Sequence, residues 1–415
     1  MHSRMVLAAV VSAAICQAQD ATFTHFPGLR NDGSSMVGVS RDGRVVFGSS
    51  FIGFGEEGVW WTRETGMVRL APLNRYAGAA PLAASRDGGV LVGGGPRRNG
   101  WDEGFRWTGR DGCVGIGFLP NTRRASNAID VSADGSVIVG VDDIGGFAGA
   151  FRWTKEDGMV GLGSLPGGNE FSLALAVTPD GRVIVGVSST DHGNIAFRWT
   201  EQEGLVELGD LPGDINASTA TAVSNDGRVV VGFSFNDDGF GFRWTEDEGL
   251  QPLTHSFPPL ALGVPAWIRP LAMSADGSVV VGEVRNSRSI RGFVWDEECG
   301  TRGFREFLRD EHGLDLEGWH LEFPSDISDD GRILVGAGLS PAGRTEGWMI
   351  DLGPYPCPAD LDRDGVVGLG DVQALLAHFG TRVIGMHPQG DVNFDGDIDL
   401  QDLGLMLSAF GTSCE

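Results

Sequence analysis

Near the C-terminus, oxygen-bearing side chains recur at fixed intervals in two twelve-residue stretches. The first runs from Asp360 to Asp371, with Asp360, Asp362 and Asp364 at positions 1, 3 and 5 and Asp371 at position 12. The second runs from Asp391 to Asp402, with Asp391, Asn393 and Asp395 at 1, 3 and 5 and Asp402 at 12. Both put glycine at position 6 (Gly365, Gly396) and an apolar residue at position 8 (Val367, Ile398). A hard divalent cation such as calcium needs this set: several oxygens converging from one short loop, with a glycine where the chain turns sharply. A pair of acidic turns is the plainer reading, but two copies offset by 31 residues point to two Ca2+ sites.

The surroundings of these loops are acidic. From Cys357 to Glu415 there are nine Asp and one Glu against two Arg, so the segment repels itself and is expected to fold only with metal. The whole chain of 415 residues carries a net charge of −25, which argues against nucleic acid and anionic membranes as partners. Arg4, the apolar run from Met5 to Ile15 and Cys16-Gln17-Ala18 read as a signal peptide over residues 1–18. No later stretch is long enough to span a bilayer, so the reading is a secreted, extracellular protein with no transmembrane segment. Export permits disulfides, and Cys357 and Cys414 bracket the acidic segment, where a bridge would clasp its ends. Cys113 and Cys299 read as small buried hydrophobes.

The elements that carry these loops begin with a repeat filling most of the chain. A Ser/Thr-x-Asp-Gly segment followed by an apolar run returns seven times, starting at Ser40, Ser85, Ser132, Thr178, Ser224, Ser274 and Ser328. Each is followed by an aromatic strand, often Phe-Arg-Trp-Thr, with Trp61, Trp107, Trp153, Trp199, Trp244, Trp295 and Trp348 taken as equivalent. Each copy reads as four short strands, with Asp-Gly as a two-residue hairpin turn whose two positions both want positive φ. The period fits a propeller blade, and helical periodicity is absent across the repeats.

The seventh copy stops after Leu352 without a fourth strand, while Ala21 to Gly28 has the alternation of that missing strand. One end would then complete the blade begun by the other, leaving no free sheet edge. The expected fold is an all-β seven-bladed β-propeller over residues 19–353, closed by an N-terminal strand; an open β-solenoid is the alternative. A Pro-rich linker, 354–358, then leads to a small helical domain over 359–415.

The Ala-x-x-Val-Ser-x-Asp-Gly core and Phe-Arg-Trp-Thr strand resemble the bacterial extracellular HAF repeat family, a family of secreted repeats without a defined role. The tail resembles a type I dockerin, a paired EF-hand module in which each loop leads into a helix, here Asp371 to Phe379 and Asp402 to Phe410, ending at Gly380 and Gly411. The resemblance implies that Asp360, Asp362, Asp364, Asp371 and the Val366 carbonyl hold one calcium. Asp391, Asn393, Asp395, Asp402 and the Asp397 carbonyl would hold the other. It also implies a cohesin-like scaffold partner, and companions that often degrade polysaccharide. Positions 10 and 11, Leu369-Gly370 and Leu400-Gln401, depart from the hydroxyl pair of the familiar pattern.

On the propeller, repeated residues read as structural. The Asp-Gly pairs make turns, the equivalent tryptophans pack between blades, and Arg106, Arg152, Arg198 and Arg243 stack or pair beside them. Trp101, Trp267 and Trp319 lie outside the repeated position and are the candidates for stacking on carbohydrate. Inserts from Gln251 to Pro270 and from Asp310 to His320 break the period; with neighbouring loops they bring His192, His255, Asp310, Glu311, His312 and His320 as candidates for a binding mouth. No Gly-x-Ser-x-Gly elbow, phosphate loop or dinucleotide fingerprint occurs, and Lys155 is the only lysine. The sequence therefore supports a calcium-binding protein whose tail docks a recognition propeller onto a scaffold or cell surface, with extracellular polysaccharide or protein at the propeller face. A polysaccharide-degrading enzyme and a plain repeat scaffold are the alternatives.

Overall fold

The computed structural model describes residues 21–53, 55–70, 78–96, 102–120, 125–143, 148–213, 217–235, 240–253, 267–286, 289–297 and 299–353. Beyond these it describes 359, 361, 366–380, 390, 392 and 398–412. The signal segment 1–18, the linker 354–358, Cys357 and Cys414 lie outside the described residues. The described residues divide into two compact units, one of those from Ala21 to Leu352 and one of those from Gly353 to Thr412.

The first unit is a seven-bladed β-propeller made of seven four-stranded antiparallel sheets. Blades 1 to 6 occupy residues 34–69, 80–115, 126–161, 167–209, 218–252 and 267–303. Blade 7 takes three strands from 320–351 and its outer strand, Thr22–Phe26, from the start of the chain. That strand runs antiparallel to Thr345–Asp351, with Thr22 opposite Asp351 and Phe26 opposite Gly347. Each inner strand lies against the inner strand of the next blade, and Ser34–Val39 of blade 1 returns to His320–Ile327 of blade 7. The ring is closed by strands from opposite ends of this unit, which removes the exposed edges of an open array.

Blade 4 shows why the repeat folds this way. Its strands are Gly167–Val177, Ile184–Thr190, Asn194–Thr200 and Gly204–Gly209. The second strand is buried on both faces and so reads as an apolar run, Ile184-Val185-Gly186-Val187. Its glycine is required by close approach. A Cβ on Gly186 would stand 1.9 Å from the Leu173 carbonyl oxygen and 3.1 Å from the Phe197 ring. Glycine thus lets the third-strand phenylalanine lie across its neighbour, and Phe105, Phe151, Phe197, Phe242 and Phe293 are all fully buried there. In blade 7 that place belongs to Trp348, opposite Gly336. Trp348 is therefore equivalent to the phenylalanines, not to the other tryptophans as the spacing suggested. Of the true Trp position, only Trp295 is buried; the other five are half-buried, with their rings at the margin of a core that phenylalanine fills.

The Asp-Gly turns also differ from expectation. In each, the glycine alone has positive φ, Gly43 at 74° and Gly181 at 72°, while the aspartate does not. The connection is a longer loop, closed by the Ser or Thr. The Ser40 N–H donates to the Val45 carbonyl (2.7 Å), and the Ser40 hydroxyl accepts from Val45 N–H (2.9 Å) while donating to Asp42 (2.7 Å). A hydroxyl three residues ahead of the glycine is thus part of the turn. A second serine ties blades together. Ser172 Oγ accepts from Ala150 N–H of blade 3 (2.9 Å) and donates to the Gly163 carbonyl (2.7 Å), and Ser34, Ser126 and Ser218 do the same at their junctions. One short helix, α1 (Phe304–Asp310), follows blade 6 although no helical period announced it; Phe304, Phe307 and Leu308 hold it to the core. Cys113 is half-buried, its thiol pushed up to about 11 by burial, whereas Cys299 is exposed and not the buried hydrophobe expected.

The second unit contains helices α2 (Leu369–Ala377) and α3 (Leu400–Ala409). Both begin at position 10 of their acidic loop, two residues before the start read from sequence. Gly380 and Gly411 follow them with φ of 78° and 81°, the left-handed conformation that ends a helix.

Candidate functional site

The end of the propeller carrying the Asp-Gly turns is closed by a belt of main-chain hydrogen bonds. The residue after each Ser or Thr links to the next blade: Arg86 N–H to Ala133 O (2.9 Å), Ala133 N–H to Pro179 O (2.9 Å), Asn225 N–H to Ala275 O (2.7 Å), Ala275 N–H to Asp329 O (3.2 Å) and Asp329 N–H to Arg41 O (2.9 Å). Asp42 N–H completes the step from blade 1 to the Arg86 carbonyl (3.0 Å). Pro179 has no N–H, so the belt breaks between blades 4 and 5. The Arg41 side chain crosses from blade 1 to that break, donating to the Val177 carbonyl (3.1 Å) and to Asn225 Oδ1 (3.0 Å). Asp329 faces the same guanidinium at 3.6 Å.

Two inner-strand carboxylates belong to this region. Asp130 Oδ2 accepts from Val177 N–H of blade 4 (2.8 Å), and Asp326 Oδ2 from Val39 N–H of blade 1 (2.9 Å). Each also accepts its own neighbour's N–H. Burial pushes both upward against these donors and the Arg41 charge, Asp326 to about 7, and burial raises Asp329 as well. Their main-chain bonds make them staples between blades. Nothing in the turn motif announces them, but the position two before each Ser or Thr is Gly or Ala in five blades and Asp only at 130 and 326.

At the opposite ends of the inner strands, blades 5 and 6 form a different surface. Trp267 is 54% exposed and Phe235 48% exposed. Trp267 is cross-strand partner to Arg285, and Arg269 to Glu283, so these side chains share one face of blade 6. Glu283 is buried between the two arginines, with Arg269 Nη1 at 3.5 Å and Arg285 Nη2 at 3.4 Å. The Arg269 guanidinium lies 5.5 Å over the Phe233 ring of blade 5, which meets Phe235 edge-on at 5.0 Å. Phe235 is fixed by its N–H to the Ala217 carbonyl (2.7 Å). This surface combines exposed rings with a braced pair of cations.

The other candidates do not gather. Trp101 and His255 lie outside the described residues. Trp319 packs on Phe23 (5.0 Å) and His25 (5.5 Å) beside the closing strand, and so serves the latch. His312 sits against Phe307 at 4.7 Å, its basicity lowered by burial and by Arg302. Asp310 pairs with Arg309 at 2.7 Å and Glu311 with Arg302 at 3.4 Å. His192 pairs with Asp191 at 3.2 Å, and His320 is exposed. Arg106 and Arg198 reach the Asp-Gly turns of the following blades, at Gly135 (3.3 Å) and Gly227 (3.4 Å), a structural role.

In the tail, Asp360, Asp362, Asp364, Asp391, Asn393, Asp395 and Asp397 lie outside the described residues. Val366, Asp371 and Asp402 are described. Asp371 and Asp402 are fully buried in the first turns of α2 and α3. Each accepts the N–H of position 9 of its own loop, Gly368 (2.6 Å) and Asp399 (2.8 Å). The two halves interlock reciprocally: Gly411 N–H donates to the Val367 carbonyl (2.7 Å) and Gly380 N–H to the Ile398 carbonyl (2.8 Å). Val367 and Ile398, with Leu375 and Met406, form the buried interior. Opposite faces stay apolar in water. Leu369 and Leu400 are 72% and 74% exposed, and Leu376, Leu407, Phe379 and Phe410 are exposed too. These are three residue pairs, each separated by the same 31 positions.

No family model matches the chain, and no curated protein matches it. Among solved structures, it is similar to an oligogalacturonate lyase in complex with manganese, at 14% identity and TM-score 0.50 over 81% of this chain and 97% of that one. It is also similar to the Swd1 β-propeller domain of Myceliophteria thermophila, at 14% identity and TM-score 0.48 over 79% and 99%. TolB from Acinetobacter baumannii aligns at 12% identity and TM-score 0.43 over 63% of each chain, so this chain spans about two thirds of that protein. At such identities the first likeness speaks for the propeller fold alone, and the other two add no argument. No helix among the described residues is long and apolar enough to cross a membrane.

Proposed function

We propose that the protein is a secreted calcium-binding recognition protein, with a HAF-type propeller that presents a binding face and a dockerin-like tail that docks it. In this reading Asp360, Asp362, Asp364, Asp371 and the Val366 carbonyl hold one Ca2+. Asp391, Asn393, Asp395, Asp402 and the Asp397 carbonyl hold the other. The donor set suits the ion: Asp371 and Asp402 are buried carboxylates at position 12 of loops whose positions 1, 3 and 5 all carry side-chain oxygens, in a strongly acidic segment.

The observation that carries docking is the exposed set Leu369, Leu376 and Phe379, repeated as Leu400, Leu407 and Phe410. Large apolar side chains held in water twice, at equivalent places, support a protein-binding surface. The partner is a cohesin-like module on a scaffold or cell surface, with calcium setting the loops from which α2 and α3 start. Calorimetric titration of the intact chain should give about two calcium ions bound. Asp371→Asn and Asp402→Asn should each lose one. An immobilised panel of cohesin modules should retain the chain with calcium and release it with chelator. Zero stoichiometry removes the calcium reading; two ions bound but no retention removes the docking reading.

A further inference from the structure

We infer that the exposed surface shared by blades 5 and 6 binds an acidic polysaccharide, one whose sugar rings carry carboxylate or sulfate; the inference rests on reading the propeller as a recognition domain and names its ligand class.

Sevenfold repetition supplies an internal control. Single departures can be staples between blades, as Asp130 and Asp326 are, but several departures gathered on one exposed surface need another reason. One and three positions after the second-strand glycine, blade 6 has Glu283 and Arg285, and no other blade has a glutamate or an arginine at either place. Opposite them on the inner strand stand Arg269 and Trp267, where no other blade has arginine or tryptophan. Four departures thus meet on one sheet face. They do not improve the core, since Trp267, Arg269 and Arg285 are exposed.

Their chemistry is complementary to a charged sugar. The exposed indole of Trp267 and ring of Phe235 offer flat apolar faces, one from each blade, against which the C–H face of a pyranose can stack. Glu283 spends one oxygen on each guanidinium, at 3.5 and 3.4 Å, and braces both arginines. Two cations against one carboxylate leave a positive surplus in a chain of net charge −25. A guanidinium fork takes carboxylate or sulfate oxygens in pairs. An acidic peptide would satisfy the arginines but has no rigid flat faces for the rings. A neutral glycan would use the rings and leave the arginines idle.

The test is affinity electrophoresis of the intact chain through gels containing polygalacturonate, a sulfated galactan, neutral dextran or polyglutamate, with calcium and with chelator. The expected result is retardation by one or both acidic polysaccharides, unaffected by chelator and weakened by added salt, with dextran inert. Which acidic polymer binds distinguishes carboxylate from sulfate. Trp267→Ala and Arg285→Gln should each weaken binding roughly tenfold, as central aromatic and arginine contacts do, with the thermal transition of the propeller unchanged. If Trp267→Ala fails to fold, Trp267→Phe keeps a smaller ring and should weaken binding partially. Equal binding of dextran or polyglutamate, no binding of either acidic polysaccharide, or full binding by both variants would overturn the inference. Calcium-dependent retention on cohesin would survive any of these, so the two readings fail separately.

Discussion

The two units of the chain are both made by repetition, yet they differ in what holds them together. The propeller closes a ring of seven blades with its own main chain, using Thr22–Phe26 as the last strand of blade 7. It meets its inner-strand aspartates with N–H groups of adjacent blades, as Asp326 does with Val39 and Asp130 with Val177. The tail has two copies only, a small interior around Val367, Leu375, Ile398 and Met406, and two fully buried carboxylates in an acidic segment. A ring of many blades carries enough buried apolar surface to stand alone, whereas a module this small needs a staple.

On the proposed calcium reading, the largest effect that separates them should come from adding chelator. Calorimetry of the intact chain is expected to show two transitions, and chelator should abolish the smaller while leaving the larger within a degree or so of its place. If chelator moves the large transition, or leaves the small one intact, the contrast collapses. Next comes Phe26→Ala. This residue is buried at the end of the latch strand, 5.3 Å from the Trp61 ring. Truncation should cost about 3–5 kcal/mol, read as a lower denaturant midpoint for the propeller alone. Deleting residues 21–26 should go further and expose the edge of Thr345–Asp351, seen as aggregation. A smaller effect is expected for Ser172→Ala. It removes the hydroxyl that joins Ala150 N–H to the Gly163 carbonyl and strands a buried donor, for about 1–3 kcal/mol. No loss there would mean that water replaces the hydroxyl.

How much of this was legible in the sequence differs between the units for the same reason. Seven copies expose their own logic: the recurring Ser/Thr-x-Asp-Gly, the missing last strand and the matching segment at residue 21 pointed to the closed ring. What escaped were features fixed by contact between blades. The four-residue turns depend on a serine hydroxyl closing onto the residue five ahead, as Ser40 does with Val45, and this looks in sequence like a tighter Asp-Gly hairpin. Trp348 was misaligned because tryptophan there fills the phenylalanine slot over Gly336, and residue type masked register. Helix α1 has only seven residues and is held by Phe304, Phe307 and Leu308 against the core, so tertiary packing set it where no period could. The surface shared by blades 5 and 6 is half visible in the sequence. Trp267 stood out as a non-repeated ring, but Glu283 and its arginines become a unit only when strand register sets them face to face.

The smallest predicted effect is also the one in which the two units respond with opposite sign. Asp326 is raised to about 7 in the folded propeller from an ordinary value of 3.8, because burial outweighs its N–H donors and the Arg41 charge; Asp130 and Asp329 shift the same way. Between those values the folded state holds a proton that the unfolded chain has released. Stability from this source is therefore present near pH 4, falls as pH rises towards about 7, and changes no further above it. Hydrogen bonds draw Asp87 and Asp134 below 3.8, so their contribution is lost only at lower pH. His312, lowered from 6.5 by burial and Arg302, opposes the gain within the window because the unfolded chain takes up its proton first; the comparison is therefore made in a His312→Asn background. Asp326 keeps part of its surface open to solvent, so the gain is modest, about 2–4 °C in the propeller transition between pH 7 and pH 5. With the proposed calcium bound, the tail's carboxylates must be deprotonated to hold it, and its transition should fall over the same acidification. Asp326→Asn should reduce the propeller's dependence, leaving the share from Asp130 and Asp329, and leave the tail's untouched. A propeller transition that falls on acidification from pH 7 to pH 5 would show that Asp326 is charged in the fold, held by Val39 and Arg41 more strongly than burial opposes it.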